Sequence, residues 1–306
     1  MRRIIKTIIP LILIISLSVF QDSSCTFNVK NGDYFEYIIS QAEFSATVGS
    51  NTLSSTGIKM NENNVPIGSV LSINVTYVIG NTVYFWMSAH GNRLSGVARP
   101  NLEEGNMWAS VLYIIGVLDL LTNNWEYNIN YFENGFNLYY TQTFIPFFEA
   151  EQETWDFIDN FITELESYYT TTKTDQADYT LFYLNSEEND IFIGEWLVLF
   201  NDNRQNELFN ASLTATSHYK SAMQKSTGIL LGSRYEGSCT GELDGLPIDI
   251  AFKLLFQEIN YDMPDFEYDS TGGLSSNNWI ITTSSVTFVT IIITLSIKIK
   301  SKKKNF

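Results

Sequence analysis

In the stretch Leu71-Ser72-Ile73-Asn74-Val75-Thr76-Tyr77 every odd-numbered residue is apolar and every even-numbered one polar. Successive side chains of an extended chain point to opposite faces, so this segment reads as a strand with one face on a core and Asn74 on the side toward water. Residues 82–89 form a partner across Gly80-Asn81, which makes 71–89 a hairpin. Further strands are expected at 191–200, 208–219, 227–236 and 247–257. In the last of these Ile248, Ile250, Phe252, Leu254 and Phe256 share one apolar face. Residues 125–132 and 136–144 flank Glu133-Asn134-Gly135, and Asn-Gly is the strongest short hairpin signal because both turn residues need positive φ. The polar connections 201–206 and 241–245 suit antiparallel neighbours. The expected architecture is therefore an antiparallel sheet, half-barrel or sandwich-like.

Two stretches break the period of two. Over 149–169, Trp155, Ile158, Ile162, Leu165 and Tyr169 recur at spacings of three and four, and Glu149, Glu151 and Glu153 stand near the start. There their charge complements the helix dipole, so the spacing predicts one amphipathic helix packed on the sheet. Residues 107–121 are apolar nearly all round and fit a buried helix or a strand equally. The Thr-rich run 170–174 could join two halves near 170–178. The fold class is α+β and β-rich.

The ends differ from the middle. Arg2, Arg3 and Lys6 precede an apolar run from Ile8 to Phe20, the pattern of a secretory signal peptide over residues 1–24. Residues 279–299 carry a single charge, Lys298, and as a helix would reach about 31 Å, close to the hydrocarbon thickness of a bilayer. Lysines follow at once, so 300–306 reads as a basic cytoplasmic tail. The acidic, Gly-bearing residues 261–278 read as a stalk, which leaves 25–260 as the folded extracytoplasmic region. Arg2, Arg3, Lys6, Lys298, Lys300, Lys302, Lys303 and Lys304 are eight of the 18 basic groups, leaving 10 against 34 acidic between Lys6 and Lys298, a net charge of −24. A surface so negative repels phosphate backbones and excludes nucleic acid as a partner. The expected location is the cell membrane, single-pass, with the folded region extracellular.

An oxidising exterior makes a disulfide between the chain's two cysteines, Cys25 and Cys239, the expected state. Asn74-Val75-Thr76 and Asn210-Ala211-Ser212 are N-glycosylation sequons on expected exposed strand faces. Only two histidines are present, His90 and His218, each without a companion ligand, so no metal and no cofactor is expected. Tyr84 and Trp86 share one strand face while Phe85 and Met87 share the other. Both faces are then apolar, which means burial on both sides or an aromatic platform able to bind a ligand.

Catalytic signals are thin. Gly237-Ser238-Cys239-Thr240-Gly241 fits the G-x-C-x-G form of a nucleophile elbow, but such an elbow needs a following helix and the downstream residues read as another hairpin. Glu149, Glu151, Glu153, Asp156 and Asp159 could offer oxygen ligands or paired carboxylates, yet no D-x-[DN]-x-[DN]-G loop accompanies them.

The layout of signal segment, acidic ectodomain, polar stalk, apolar span and lysine tail resembles the archaeal surface proteins grouped as choice-of-anchor families. Lys225-Ser226-Thr227-Gly228-Ile229-Leu230-Leu231 is also similar to the turn-and-strand of LolA-type periplasmic lipoprotein carriers. Together these imply a membrane-anchored surface protein whose ectodomain makes noncatalytic contacts, with a lipid-like or other hydrophobic molecule or with other envelope proteins. The alternative class is a surface hydrolase using Glu149, Glu151, Asp156 and Asp159.

Overall fold

The computed structural model describes residues 27–99, 113–137, 146–160, 177–203, 205–206, 209–269 and 271–272. The expected signal segment, Cys25, the span 279–299 and the basic tail lie outside the described residues. Among the described residues no helix is long and apolar enough to cross a membrane. One compact unit extends to Pro264 and a second begins at Asp265; the first is described here.

The chain opens with β1 (Tyr34–Val48), β2 (Asn51–Thr56), β3 (Ile58–Met60) and β4 (Asn63–Val65), followed by the meander β5 (Val70–Ile79), β6 (Thr82–Ala89) and β7 (Asn92–Ala98). Helices α1 (Tyr113–Asn123) and α2 (Trp125–Asn128), a 3-10 turn (Ile129–Tyr131), the short β8 (Phe136–Asn137) and a helix α3 over 152–160 come next. A second meander closes it: β9 (Ala177–Glu188), β10 (Ile191–Asp202), β11 (Gln205–Asn206), β12 (Phe209–Gln224), β13 (Ile229–Leu243) and β14 (Leu246–Glu258).

These strands make a β-rich α+β fold dominated by one antiparallel sheet of 11 strands, ordered β7-β6-β5-β1-β14-β13-β12-β10-β9, with β2 beside β1 and β11 beside β12. The two meanders meet where β1 pairs with β14, from Tyr37↔Glu258 to Val48↔Ile248. A small sheet β4-β3-β8 lies apart from this path.

One face of the large sheet carries the core. The expected apolar row of β14 is there, with Ile250 and Phe256 fully buried. Tyr183, Trp196, Tyr219, Tyr235 and Phe252 form a chain of rings across β9, β10, β12, β13 and β14, each 4.9–5.7 Å from the next. Tyr113 of α1 packs on Tyr235 and Phe252, and Trp155 of α3 on Phe192 of β10. Of the expected apolar face, Trp155 and Ile158 are buried in α3, while Ile162, Leu165 and Tyr169 lie outside the described residues. Tyr37 donates its hydroxyl to the Leu230 carbonyl at 2.7 Å, which gives a fully buried phenol its partner. On the opposite face a small cluster of Ala222, Leu255 and Met263 lies near the end of the unit.

Three expectations change. Residues 125–132 are helical turns, not a strand: Trp125, Asn128 and Phe132 recur at helical spacing, and Asn124 caps the start by accepting from the Tyr127 amide. Gly135 does turn the chain with φ +102, but into β8, which pairs parallel with β3. A Cβ at Gly135 would stand 2.4 Å from the Gly57 carbonyl oxygen, so this close approach admits only glycine. The ambiguous 107–121 stretch is helical where described, from Tyr113. Tyr77 does not join Leu71, Ile73 and Val75 on the core face, because a bulge between Val75 and Tyr77 moves it to the other side, where it is 51% exposed.

Candidate functional site

Tyr84 and Trp86 are held by β6, whose Val83 and Phe85 point into the core while the two candidate rings take the outward side, half-buried. The alternation that buries Phe85 against Phe147 at 5.3 Å therefore delivers Trp86 to the surface. Register builds the rest. Tyr34 lies opposite Asn74, Asn74 opposite Trp86, and Trp86 opposite Ser95, one row across β1, β5, β6 and β7. The next row pairs the bulge-shifted Tyr77 with Tyr84, their rings 5.3 Å apart. Arg93 places its guanidinium 4.0 Å over the Trp86 ring from the β7 side, a cation–π contact. Tyr34 is 54% exposed and is fixed by donating to Glu36 Oε1 at 2.7 Å and bonding Ser72 Oγ at 2.9 Å. It also lines an open cleft of about 580 Å³ together with Phe27, Val29, Lys30 and Asp33. The result is an outward aromatic face with one cation and several hydroxyls at its rim, able to receive a molecule that has an apolar side and polar edges.

Sequence reasoning missed a second feature. On the same side of the sheet but toward its other half, Glu195 of β10 is opposite Lys220 of β12, with His218 two residues away on the same face. Glu195 Oε1 meets His218 Nε2 at 2.8 Å and Oε2 meets Lys220 Nζ at 3.0 Å. All three are buried, Glu195 and Lys220 at 1% exposure. The carboxylate spends one oxygen on His218 and the other on Lys220 and faces no solvent, so its chemistry is that of a cross-strand pin. A lone Glu inside the otherwise apolar run Ile191 to Phe200, and a His-x-Lys pair in a strand, were the available signals. His90 is unrelated to it, exposed in the β6–β7 turn with φ +49.

Cys239 lies in the middle of β13, completely buried, and burial pushes its thiol up to about 12. A protonated thiol within a strand is no nucleophile, so the elbow motif carries no chemistry here. Its expected disulfide partner, Cys25, is among the residues not described. The carboxylates of the α3 region are scattered in role. Glu149 is buried, Asp156 accepts from Gln152 at 2.7 Å, and Asp159 accepts from Tyr183 at 3.0 Å and from Asn185, tying α3 to β9. Among the described residues no group of three or more His, Cys, Asp or Glu could hold a metal ion. Both sequon asparagines are exposed; Asn210 is the second residue of β12, its backbone N–H donating to Asp244 Oδ1 at 2.9 Å.

No family model matches the chain, and no curated protein matches it. Among solved structures, an inactive mutant of the CurJ dehydratase in complex with a compound aligns over 82% of this chain and 80% of its own. Its identity is 10% and its TM-score 0.11, too low to indicate a shared fold.

Proposed function

We propose that this chain is an exported, membrane-tethered surface protein whose ectodomain binds noncatalytically through the outward aromatic face of β5 and β6. In this reading residues 1–24 are removed on export, 279–299 span the membrane, 300–306 stay in the cytoplasm, and the sheet curves as a half-barrel around α1. One observation carries the binding reading: Tyr77, Tyr84 and Trp86 stand together on the solvent side of the sheet although the core face was open to them by period alone. Aromatic groups left partly in water at adjacent cross-strand positions mark recognition surfaces. The hydrophobic ligand belongs on this outer face, since Trp196, Tyr219 and Tyr235 fill the inner one. The carboxylates of a hydrolase receive no such support, as Asp156 and Asp159 are engaged in local hydrogen bonds.

The test uses the full chain purified in detergent from the membranes of an expressing cell. Native mass spectrometry is expected to find a co-purifying lipid-like or sugar-bearing molecule, and Trp86→Ala to reduce its occupancy about tenfold, the effect of losing one ring's burial. Changing Asp156 or Asp159 to Ala should leave occupancy as it was. A hydrolytic activity abolished by either carboxylate change, with binding indifferent to Trp86, would replace this reading with the enzyme.

A further inference from the structure

The outward aromatic face has a modification acceptor at its centre. Asn74 is exposed, heads the sequon Asn74-Val75-Thr76, and nothing among the described residues hydrogen-bonds its side chain. In the register it is the direct neighbour of two rings, Tyr34 on one side and Trp86 on the other. Directly opposed residues have Cβ atoms about 5 Å apart, a spacing that aromatic side chains bridge. A pyranose attached at Asn74 is therefore within reach of both aromatic side chains.

We propose that Asn74 carries an N-linked glycan whose first sugar packs on Trp86 and Tyr34, so that the occupant of the aromatic face is carbohydrate supplied by the chain itself. The inference rests on export and on the aromatic face being a recognition surface, and it names the chemistry of the occupant. One side of a pyranose presents C–H bonds, whose partial positive charge suits the negative face of an aromatic ring. Arg93 occupies the Trp86 ring from the β7 side, while Asn74 is its partner on β5. Tyr34 is held in place through its hydroxyl, so both walls are set before any sugar arrives. The attachment joins Asn74 Nδ2 to the anomeric carbon of an oligosaccharide borne on a lipid pyrophosphate. A C–N bond forms, the anomeric C–O bond breaks, the lipid pyrophosphate leaves with the electron pair, and one amide proton passes to a base.

The full chain is expressed in a secretory eukaryotic host that carries an oligosaccharyltransferase. Intact-mass and peptide analysis should show Asn74 occupied. Thermal unfolding should show the glycosylated protein melting about 2–4 °C above Asn74→Gln, the shift that a modest contact produces in a protein of this size. Trimming the glycan to its first sugar should keep the gain, and Trp86→Ala should remove it. Tyr34→Ala serves as a second variant if Trp86→Ala fails to fold, and Asn210→Gln is the control expected to leave the gain in place. An unoccupied Asn74 overturns the proposal, and so does a thermal gain that survives both ring substitutions. If the gain survives them but Asn74→Gln protein binds an added lipid or sugar through Trp86, the broader reading of the face stands alone. If no Trp86-dependent binding occurs in either form, both fall.

Discussion

Cys239 and the inner-face tyrosines are acids that burial keeps neutral. Desolvation raises the Cys239 thiol from its ordinary 9.0 to about 12, and it pushes Tyr37, Tyr219 and Tyr235 upward as well. In the unfolded chain these groups lose their protons at their ordinary values, while the folded chain retains them. Stability is then fully present below pH 9 and is lost as pH rises toward 12. Denaturant unfolding across that range should show a decline of up to about 1.4 kcal/mol per pH unit for each such group. A flat profile would mean that these side chains are open to solvent. The same burial predicts that a thiol reagent labels Cys239 in reduced protein only after unfolding. At this scale sequence reasoning was strong on which way a residue points and weak on what it meets. Asn74 faces outward as its alternation requires, but Tyr77 does not face inward. A bulge is a property of the pairing of two strands, and the residues of one strand do not announce it.

Among the elements, β10 and β12 are joined by the buried Glu195–His218–Lys220 cluster as well as by their backbone ladder. Removing one member of a buried ion pair leaves the other charged and desolvated, which costs more than the pair contributes. Glu195→Ala is expected to destabilise the protein by about 3–5 kcal/mol in urea titration, and adding Lys220→Met to it should restore a large part. A single substitution costing less than about 1 kcal/mol would show that the cluster is hydrated. The strands themselves were legible because their period of two is local. The expected 247–257 strand is β14 (Leu246–Glu258), and 191–200 lies within β10 (Ile191–Asp202). The failed hairpin at Gly135 has a physical cause. Asn-Gly specifies a turn, but which strand follows as partner depends on the close approach of Gly57, 78 residues earlier in the chain.

For the molecule as a whole, charge and topology set the behaviour. With 10 basic against 34 acidic groups between Lys6 and Lys298, the chain repels itself. Raising sodium chloride from 10 to 150 mM shortens the screening length from about 30 to about 8 Å, so the melting temperature should rise; a fall would place the acidic groups in favourable pairs. The β1–β14 pairing brings together residues some two hundred positions apart, as Val48↔Ile248 illustrates. Closing so long a loop is what makes sheets of this kind slow to fold.

The sequence by itself determined what depends on near neighbours: the strand-rich class, the buried faces of β14 and α3, the outward turn of Asn74, and the strong negative charge of the region between the chain's ends. Only the tertiary structure decided what depends on register between distant strands. It joined β1 to β14, buried Glu195 against His218 and Lys220, and set Asn74 between Tyr34 and Trp86. Side-chain period is encoded residue by residue, whereas cross-strand neighbours are chosen by the packing of the whole sheet, and no local pattern carries that choice.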